Sequence, residues 1–350
     1  MALRVALLGC GRIAQLSHLK VLTADPDVQV VAMADPDKHA RDWAAGVVPS
    51  AKVHADFREL LRDGGADAVI VALPTPLHKD AAVQALQSGL HLYLEKPIAA
   101  TPADAREIID AWRKTSLTAA IGFNCRSNAL YRELKQAVEA REAGTPVAVR
   151  TALTACWPSA ATWRLNPDNG GGALLELASH HVDLLRFIFG GEIATVSATT
   201  WSNGREDEAA MLQLRLSSGL VAQTLVSYGT AEEDRVEVYA SSGKLVVDRY
   251  DSLVVERKPA RSAGGIQSAV RRMREEIGGI SYGLEKRKSP GQEPSFSRSL
   301  SSFLDAVRAR RGASPDLMDG YRALEVIDAA RRSVAERREV SLTPGSDGVR

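Results

Sequence analysis

Leu3-Arg4-Val5-Ala6-Leu7-Leu8-Gly9-Cys10-Gly11-Arg12-Ile13-Ala14 is the stretch that decides the fold. A short apolar strand runs straight into a GxGxxA turn, and a helix-compatible segment follows to about Leu22. In that setting Gly9 permits a tight turn and Gly11 lets backbone approach a pyrophosphate. Arg12 and Ile13 open the helix whose N-terminus faces the anion, and the small Ala14 lets helix pack on strand. The next strand, 28–34, ends at Asp35, about 20 residues further on. An acid there accepts the ribose hydroxyls of adenosine and repels a 2′-phosphate, which favours NAD over NADP. A carboxylate that merely caps the following turn is the plainer alternative.

Alternation then continues, with helices near 37–46, 56–63, 78–88 and 102–114 and strands near 68–73, 91–94 and 117–121. Strand and helix in turn give a parallel, doubly wound sheet. Two turns fall at the carboxyl ends of its strands, where such sheets bind ligands. These are Pro74-Thr75-Pro76-Leu77-His78 and Glu95-Lys96-Pro97, so Pro74, Thr75, His78, Glu95 and Lys96 are candidates for the cofactor side. A lysine held beside an oxidised nicotinamide is pushed towards its neutral form and can share in proton transfer.

The second half carries another organising stretch, Gly170-Gly171-Gly172 followed by a helix to about Phe189. Glu176, His180 and Asp183, at spacings of four and three, share one face, while Leu174, Leu177, His181, Leu184 and Ile188 form a mostly apolar stripe opposite. A base next to a carboxylate is what proton abstraction from a hydroxyl requires. A core helix with one satisfied histidine is the alternative. Strands near 147–157, 193–202, 208–217, 220–228, 235–241, 243–248 and 252–256 with tight turns read as an open, mainly antiparallel sheet with helices on one side. Helices near 128–140, 294–311 and 316–336 accompany it. From Glu256 to Lys288 there are nine basic and four acidic residues. Residues 257–292 therefore read as a lid-like insertion with a short helix near 266–276. The expected division is 1–124 for the dinucleotide-binding domain and 125–350 for an α/β substrate domain.

At 350 residues the chain exceeds the usual single core. A net charge of +1 gives no global field for nucleic acid or an anionic membrane, and a small-molecule substrate fits better. Three cysteines, widely spaced and without a CxxC pair, argue against a disulfide framework and a zinc site, and point to a reducing cytoplasm. No metal is expected. No segment has the apolar length of a membrane span or a signal peptide.

Taken together, GCGRIA, the Pro-Thr-Pro-Leu-His turn, Glu95-Lys96-Pro97, Gly-Phe-Asn-Cys-Arg at 122–126 and GGGALLELASHHVDLLR resemble, in this order, the glucose–fructose oxidoreductase/inositol dehydrogenase/MocA family. The resemblance covers essentially the whole chain. It implies an N-terminal Rossmann domain, a C-terminal α/β domain with an open sheet, and oxidation or reduction of secondary alcohols of sugars and cyclitols with NAD(P). It further implies that Lys96 sits by nicotinamide and substrate, that His180 transfers the proton, and that Glu176 stands where the family usually has Asp. Asn124 and Arg126 join these as substrate-side candidates. Trp163 and Arg164 resemble a substrate-loop signature, with a structural salt bridge the alternative for Arg164. Ala178 replaces a common glycine. Two other outcomes stay open: an NAD-dependent glycosidase working by transient oxidation and elimination, and a non-catalytic NAD-binding regulator. A homodimer or homotetramer is expected through the uncovered sheet face bearing Val221 and Leu225.

Overall fold

The computed structural model describes residues 2–156, 171–203, 207–260 and 279–342, which form two compact units. The first comprises Met1–Ser127 with Lys288–Tyr321, and the second Asn128–Arg287 with Arg322–Arg350.

The first unit holds a six-stranded sheet of β1 (Leu3–Leu8), β2 (Val28–Ala34), β3 (Lys52–His54), β4 (Ala68–Val71), β5 (His91–Leu94) and β6 (Ala119–Ile121). Their order is β3-β2-β1-β4-β5-β6, with every pairing parallel. The order reverses between β1 and β4, which places the ligand crevice at the carboxyl ends of those two strands. Helices α1 (Leu19–Ala24), α2 (Lys38–Val47), α3 (Phe57–Asp63), α4 (His78–Gln87) and α5 (Pro102–Arg113) connect the strands. Their starts follow capping chemistry. Asp37 accepts from His39 N–H, Asp56 from Arg58 N–H and Thr101 from Asp104 N–H, with Pro102 in the first turn of α5.

The glycine loop leads into a helix that is irregular from its second turn. Ala14–His18 form a π turn before α1. The three-residue β3 was missed because so short a strand carries no periodic signal.

The segment 288–321, expected in the second domain, belongs to the first compact unit. Its helix, α9 (Pro294–Arg308), buries Leu300, Phe303, Leu304 and Val307 in the cluster formed by Val5, Leu7, Ile70 and Tyr93. The Phe303 and Tyr93 rings lie 5.6 Å apart, and the Tyr93 hydroxyl is 3.1 Å from Ser299 Oγ. Each such apolar side chain contributes about 1.5–3 kcal/mol on burial, which is enough to draw a distant helix back to the sheet.

The second unit is built on an eight-stranded sheet: β7 (Pro146–Ala155), β8 (Ile193–Trp201), β9 (Ala209–Leu216), β10 (Val221–Tyr228), β11 (Glu233–Ala240), β12 (Gly243–Asp248), β13 (Glu256–Pro259) and β14 (Val340–Ser341). Their order is β13-β12-β11-β7-β10-β9-β8-β14, antiparallel apart from the β7–β10 pair. In β9, Ala210, Leu212, Leu214 and Leu216 are buried, while Met211, Gln213 and Arg215 are exposed. One face of the sheet is therefore covered and one is open. The strand expected at 252–256 begins later, at Glu256, because Asp248 Oδ1 accepts from the N–H groups of Tyr250 and Asp251 and closes a turn.

Helices α6 (Ala129–Glu139) and α7 (Ser179–Phe189) belong to this unit, as do residues 279–287 of the helical stretch 279–288 (α8). The division between units falls within α10 (Leu317–Glu336). The helix expected near 266–276 lies outside the described residues. Among the described residues no helix is long and apolar enough to cross a membrane.

Candidate active site

In the first unit the chain leaves β1 at Gly9 with φ +94°, and a Cβ there would stand 2.4 Å from the Ala72 carbonyl oxygen. Only glycine allows the turn to lie against the end of β4. Gly11 is the opposite case, since a Cβ would meet no protein atom within 4 Å. Its side faces open space at the sheet's switch point, a cradle that a side chain would fill and that suits a pyrophosphate. Arg12 is exposed and Ile13 half-buried beside it, while Ala14 is buried between helix and strand.

Asp35 links this loop to β2. Its Oδ2 accepts from Cys10 N–H at 2.7 Å and its Oδ1 from Asp37 N–H at 2.8 Å. Each carboxylate oxygen keeps a second lone pair for a ribose hydroxyl. Arg41 Nη1 donates to the carbonyls of Asp35 and Pro36, at 2.7 and 2.8 Å. Burial, reinforced by Asp35, pushes the Cys10 thiol up to about 12, so it is an inert packing group rather than a nucleophile. The open space at Gly11, the close turn at Gly9 and the placement of Asp35 fit a dinucleotide.

The two turns at the carboxyl edge sit where expected, but their side chains divide. Pro74 opens a 3₁₀ turn, Thr75–Leu77, with Thr75 buried, and Glu95 and Lys96 are half-buried after β5. His78, expected on the cofactor side, is buried, with Nδ1 2.8 Å from the Pro97 carbonyl oxygen and Nε2 2.8 Å from that of Leu73. Its ring ties two loops together. Asn124 is also buried and donates to Ser295 Oγ at 2.7 Å. The Arg126 guanidinium forms a two-pronged pair with Asp319, at 3.0 and 2.8 Å.

In the second unit Gly172, with φ +90°, brings the chain against Asp207, whose Oδ2 accepts from Leu174 N–H at 3.1 Å. The helix then opens with a π turn, Leu174–Ala178, and continues as α7. The wider turn changes the pitch between Glu176 and α7, while His180 and Asp183 both lie within α7 and keep α-helical spacing. Burial differs along the expected face. Glu176 and Asp183 are buried, Asp183 lying 3.7 Å from Arg186 Nη1, and His180 is half-buried.

His181, placed in the apolar stripe, is fully buried with Nε2 3.0 Å from Asp234 Oδ1. Tyr131 donates to the same carboxylate, and Arg249 Nε lies 2.5 Å from its other oxygen. Burial alone would raise the Asp234 carboxyl. Arg249, His181 and Tyr131 outweigh it and hold the group well below the usual carboxylate range. Among the four titratable residues between Ala173 and Leu185, His180 alone reaches the surface.

Sequence reasoning missed His18, whose Nε2 is 2.9 Å from Glu95 Oε1, as well as Asp207, Asp319 and Asp234 with its partners Tyr131 and Arg249. No local pattern marks any of them, since each partner lies far away in the chain. Trp163 and Arg164 lie outside the described residues.

Residues 3–123 match the family described as "Oxidoreductase family, NAD-binding Rossmann fold", and residues 131–246 the "GFO/IDH/MocA C-terminal domain". Myo-inositol 2-dehydrogenase of Thermotoga maritima is 25% identical over 97% of this chain and 98% of its own. The 1,5-anhydro-D-fructose reductase of Ensifer adhaerens is 32% identical over 54% of this chain and 59% of its own. Among solved structures, the WlbA dehydrogenase of Bordetella pertussis, in complex with NADH and UDP-GlcNAcA, superposes with a TM-score of 0.83 at 23% identity, covering 98% of this chain and 99% of that one.

Proposed function

The chain belongs to the Gfo/Idh/MocA family of NAD-binding oxidoreductases, and from that premise we propose that it moves a hydride between nicotinamide and a secondary alcohol or ketone of a sugar, sugar derivative or cyclitol. The observation that carries the reading is the exposure pattern of the glycine-led helix. Its one titratable side chain before Leu185 that is not buried is the half-buried His180, while Glu176, His181 and Asp183 are buried. The polyol substrate class is supported by the names of the inositol and anhydrofructose relatives.

Bound NAD supplies the hydride acceptor for oxidation. In that direction His180 takes the hydroxyl proton as the substrate's O–H and C–H bonds break and its C=O forms, then passes the proton to water. Lys96 donates a hydrogen bond to the same oxygen and stabilises the negative charge that develops on it. Glu176 orients His180. Asn124 and Arg126 carry no step in this scheme.

We further propose self-association through the open face of the second sheet, where Leu225 and Met211 are directly opposed across β10 and β9 and both are exposed.

The test is a panel of sugars, sugar acids and cyclitols with NAD(H), read by NADH absorbance. Substrate-dependent reduction or oxidation of the cofactor is expected. Aglycone release from glycosides without net change in NADH would instead establish elimination chemistry, and NAD binding with an inert panel would overturn the catalytic reading.

A further inference from the structure

Lys96 is flanked, one residue away on each side, by groups that buried imidazoles hold. On one side stands Glu95, whose Oε1 accepts from His18 Nε2 at 2.9 Å. His18 comes from the π turn that follows the glycine loop, and its ring packs edge-on to Tyr93 with centroids 5.8 Å apart. A Cβ on Gly122 would stand 2.7 Å from Glu95 Oε2, so the carboxylate lies against bare backbone. On the other side stands Pro97, whose carbonyl oxygen faces His78 Nδ1 at 2.8 Å. His78 opens α4, and its Nε2 faces the Leu73 carbonyl at the end of the β4 turn. Both rings are about 1% exposed.

We propose that His18 and His78 are positioning residues for Lys96: two imidazoles from different elements fix the residue before it and the residue after it. The proposal rests on the role given to Lys96 above. Lysine has a long, freely rotating stem, so the placement of its ammonium depends on how firmly its backbone is held. A displacement of about 1 Å at a reacting group costs about 10²-fold in rate. An apolar core would fill the same space without burying two imidazoles, which is costly unless their bonds are used. His18 also belongs to the segment that leaves the glycine loop, so its bond to Glu95 joins the loop suited to the pyrophosphate with the loop that carries Lys96.

Carboxamides tell the two ring nitrogens apart. Gln puts its amide near the place of Nε2, and Asn near the place of Nδ1. His18→Gln keeps the bond to Glu95 and His18→Asn loses it. At His78 the preference reverses: His78→Asn keeps the bond to Pro97, and His78→Gln keeps only that to Leu73. Packing alone, which meets the same pair of side chains at both sites, gives no reversal.

The four variants are compared by the rate at which trinitrobenzenesulfonate labels Lys96 in the NAD-free protein, read by peptide mass spectrometry, and by kcat and KM on a substrate from the panel. Thermal unfolding reports folding. We expect His18→Asn and His78→Gln to change Lys96 labelling at least about threefold and to lower kcat about 10- to 100-fold with smaller effects on KM, and His18→Gln and His78→Asn to lose clearly less. Should a His18 variant fail to fold, Glu95→Gln, which keeps an acceptor, against Glu95→Ala, which removes it, reads the same bond. Equal labelling and equal kcat within each pair, or an order that simply follows thermal stability, overturns the proposal. If labelling reverses between the sites while kcat does not, the clamp stands and the catalytic role of Lys96 falls. If Lys96→Ala is inactive and the pairs do not differ, the role stands and the clamp falls.

Discussion

His181 Nε2 lies 3.0 Å from Asp234 Oδ1, with both side chains fully buried and Arg249 against the other carboxylate oxygen. This contact separates two adjacent histidines. His181 is fully buried against the sheet behind the helix, whereas His180 is half-buried.

The Asp234 carboxyl titrates below its ordinary range in the folded protein, so its contribution to stability is present above about pH 4 and is lost as pH falls through the folded value. Asp234→Asn leaves Arg249 without its buried counter-charge and should cost about 3–5 kcal/mol at neutral pH. Thermal unfolding from pH 7 to pH 3 checks both points. The wild type should lose stability steeply at the acid end and the variant more gently, and parallel curves would contradict the assignment.

His180→Ala should lower kcat by about 10²- to 10⁴-fold with little change in NAD affinity. His181→Ala should act mainly on the unfolding temperature, because its partner is a structural carboxylate. Lys96→Ala should also be severe. The double variant His180→Ala/Lys96→Ala should lose much less than the product of the single losses if both act on one oxygen. Glu176→Asp should cost modestly if the acid only orients His180; a raised KM at nearly constant kcat would make it a substrate ligand instead. Steady-state kinetics with each variant settle these roles, and near-normal kcat in His180→Ala sinks the mechanism.

The two loop glycines should fail in different ways. Gly9→Ala meets the Ala72 carbonyl and a strained φ, so it should lower the unfolding temperature or prevent folding. Gly11→Ala meets no protein atom, so it should leave the unfolding temperature unchanged while weakening NAD by about tenfold or more through the pyrophosphate approach. NAD titration by fluorescence together with thermal unfolding separates the two effects.

Cofactor preference should follow Asp35. A carboxylate beside a 2′-phosphate repels it and loses the ribose hydrogen bonds, so NAD should be preferred over NADP by about tenfold or more in kcat/KM. Asp35→Ser should narrow that gap, because the carboxylate is gone while Arg41 still lies close to the end of β2. Turnover with NADP equal to that with NAD in the wild type would remove the claim.

Leu225 and Met211 face each other on the open sheet. Leu225→Lys should turn a twofold assembly into a monomer at micromolar concentration without lowering the unfolding temperature of the isolated chain. Light scattering and size-exclusion chromatography report the mass, and a monomeric wild type would count against the interface.

The sequence by itself determined what depends on near neighbours. Leu3–Ala14 is a strand, a glycine turn and a helical start within a dozen positions, and the acid ending β2 follows at the distance the motif sets. The alternation of Ala210, Leu212, Leu214 and Leu216 gave a half-covered strand. The strand-helix rhythm of the first half likewise gave the parallel sheet, because each element signals its own period. Tertiary structure decided everything that needs a distant partner. Only folding brings Asp234 to His181, 53 residues away, Glu95 to His18, 77 away, and Ser299 to Tyr93, 206 away. It likewise returned Phe303 and its helix to the first sheet and placed π turns at Ala14–His18 and just before His180. The physical reason is common to all of these. Side chains at i+2 or i+4 meet through backbone geometry alone, whereas a buried charge or imidazole finds its partner only when the whole core closes around it, and that closure is not written in any window of the chain.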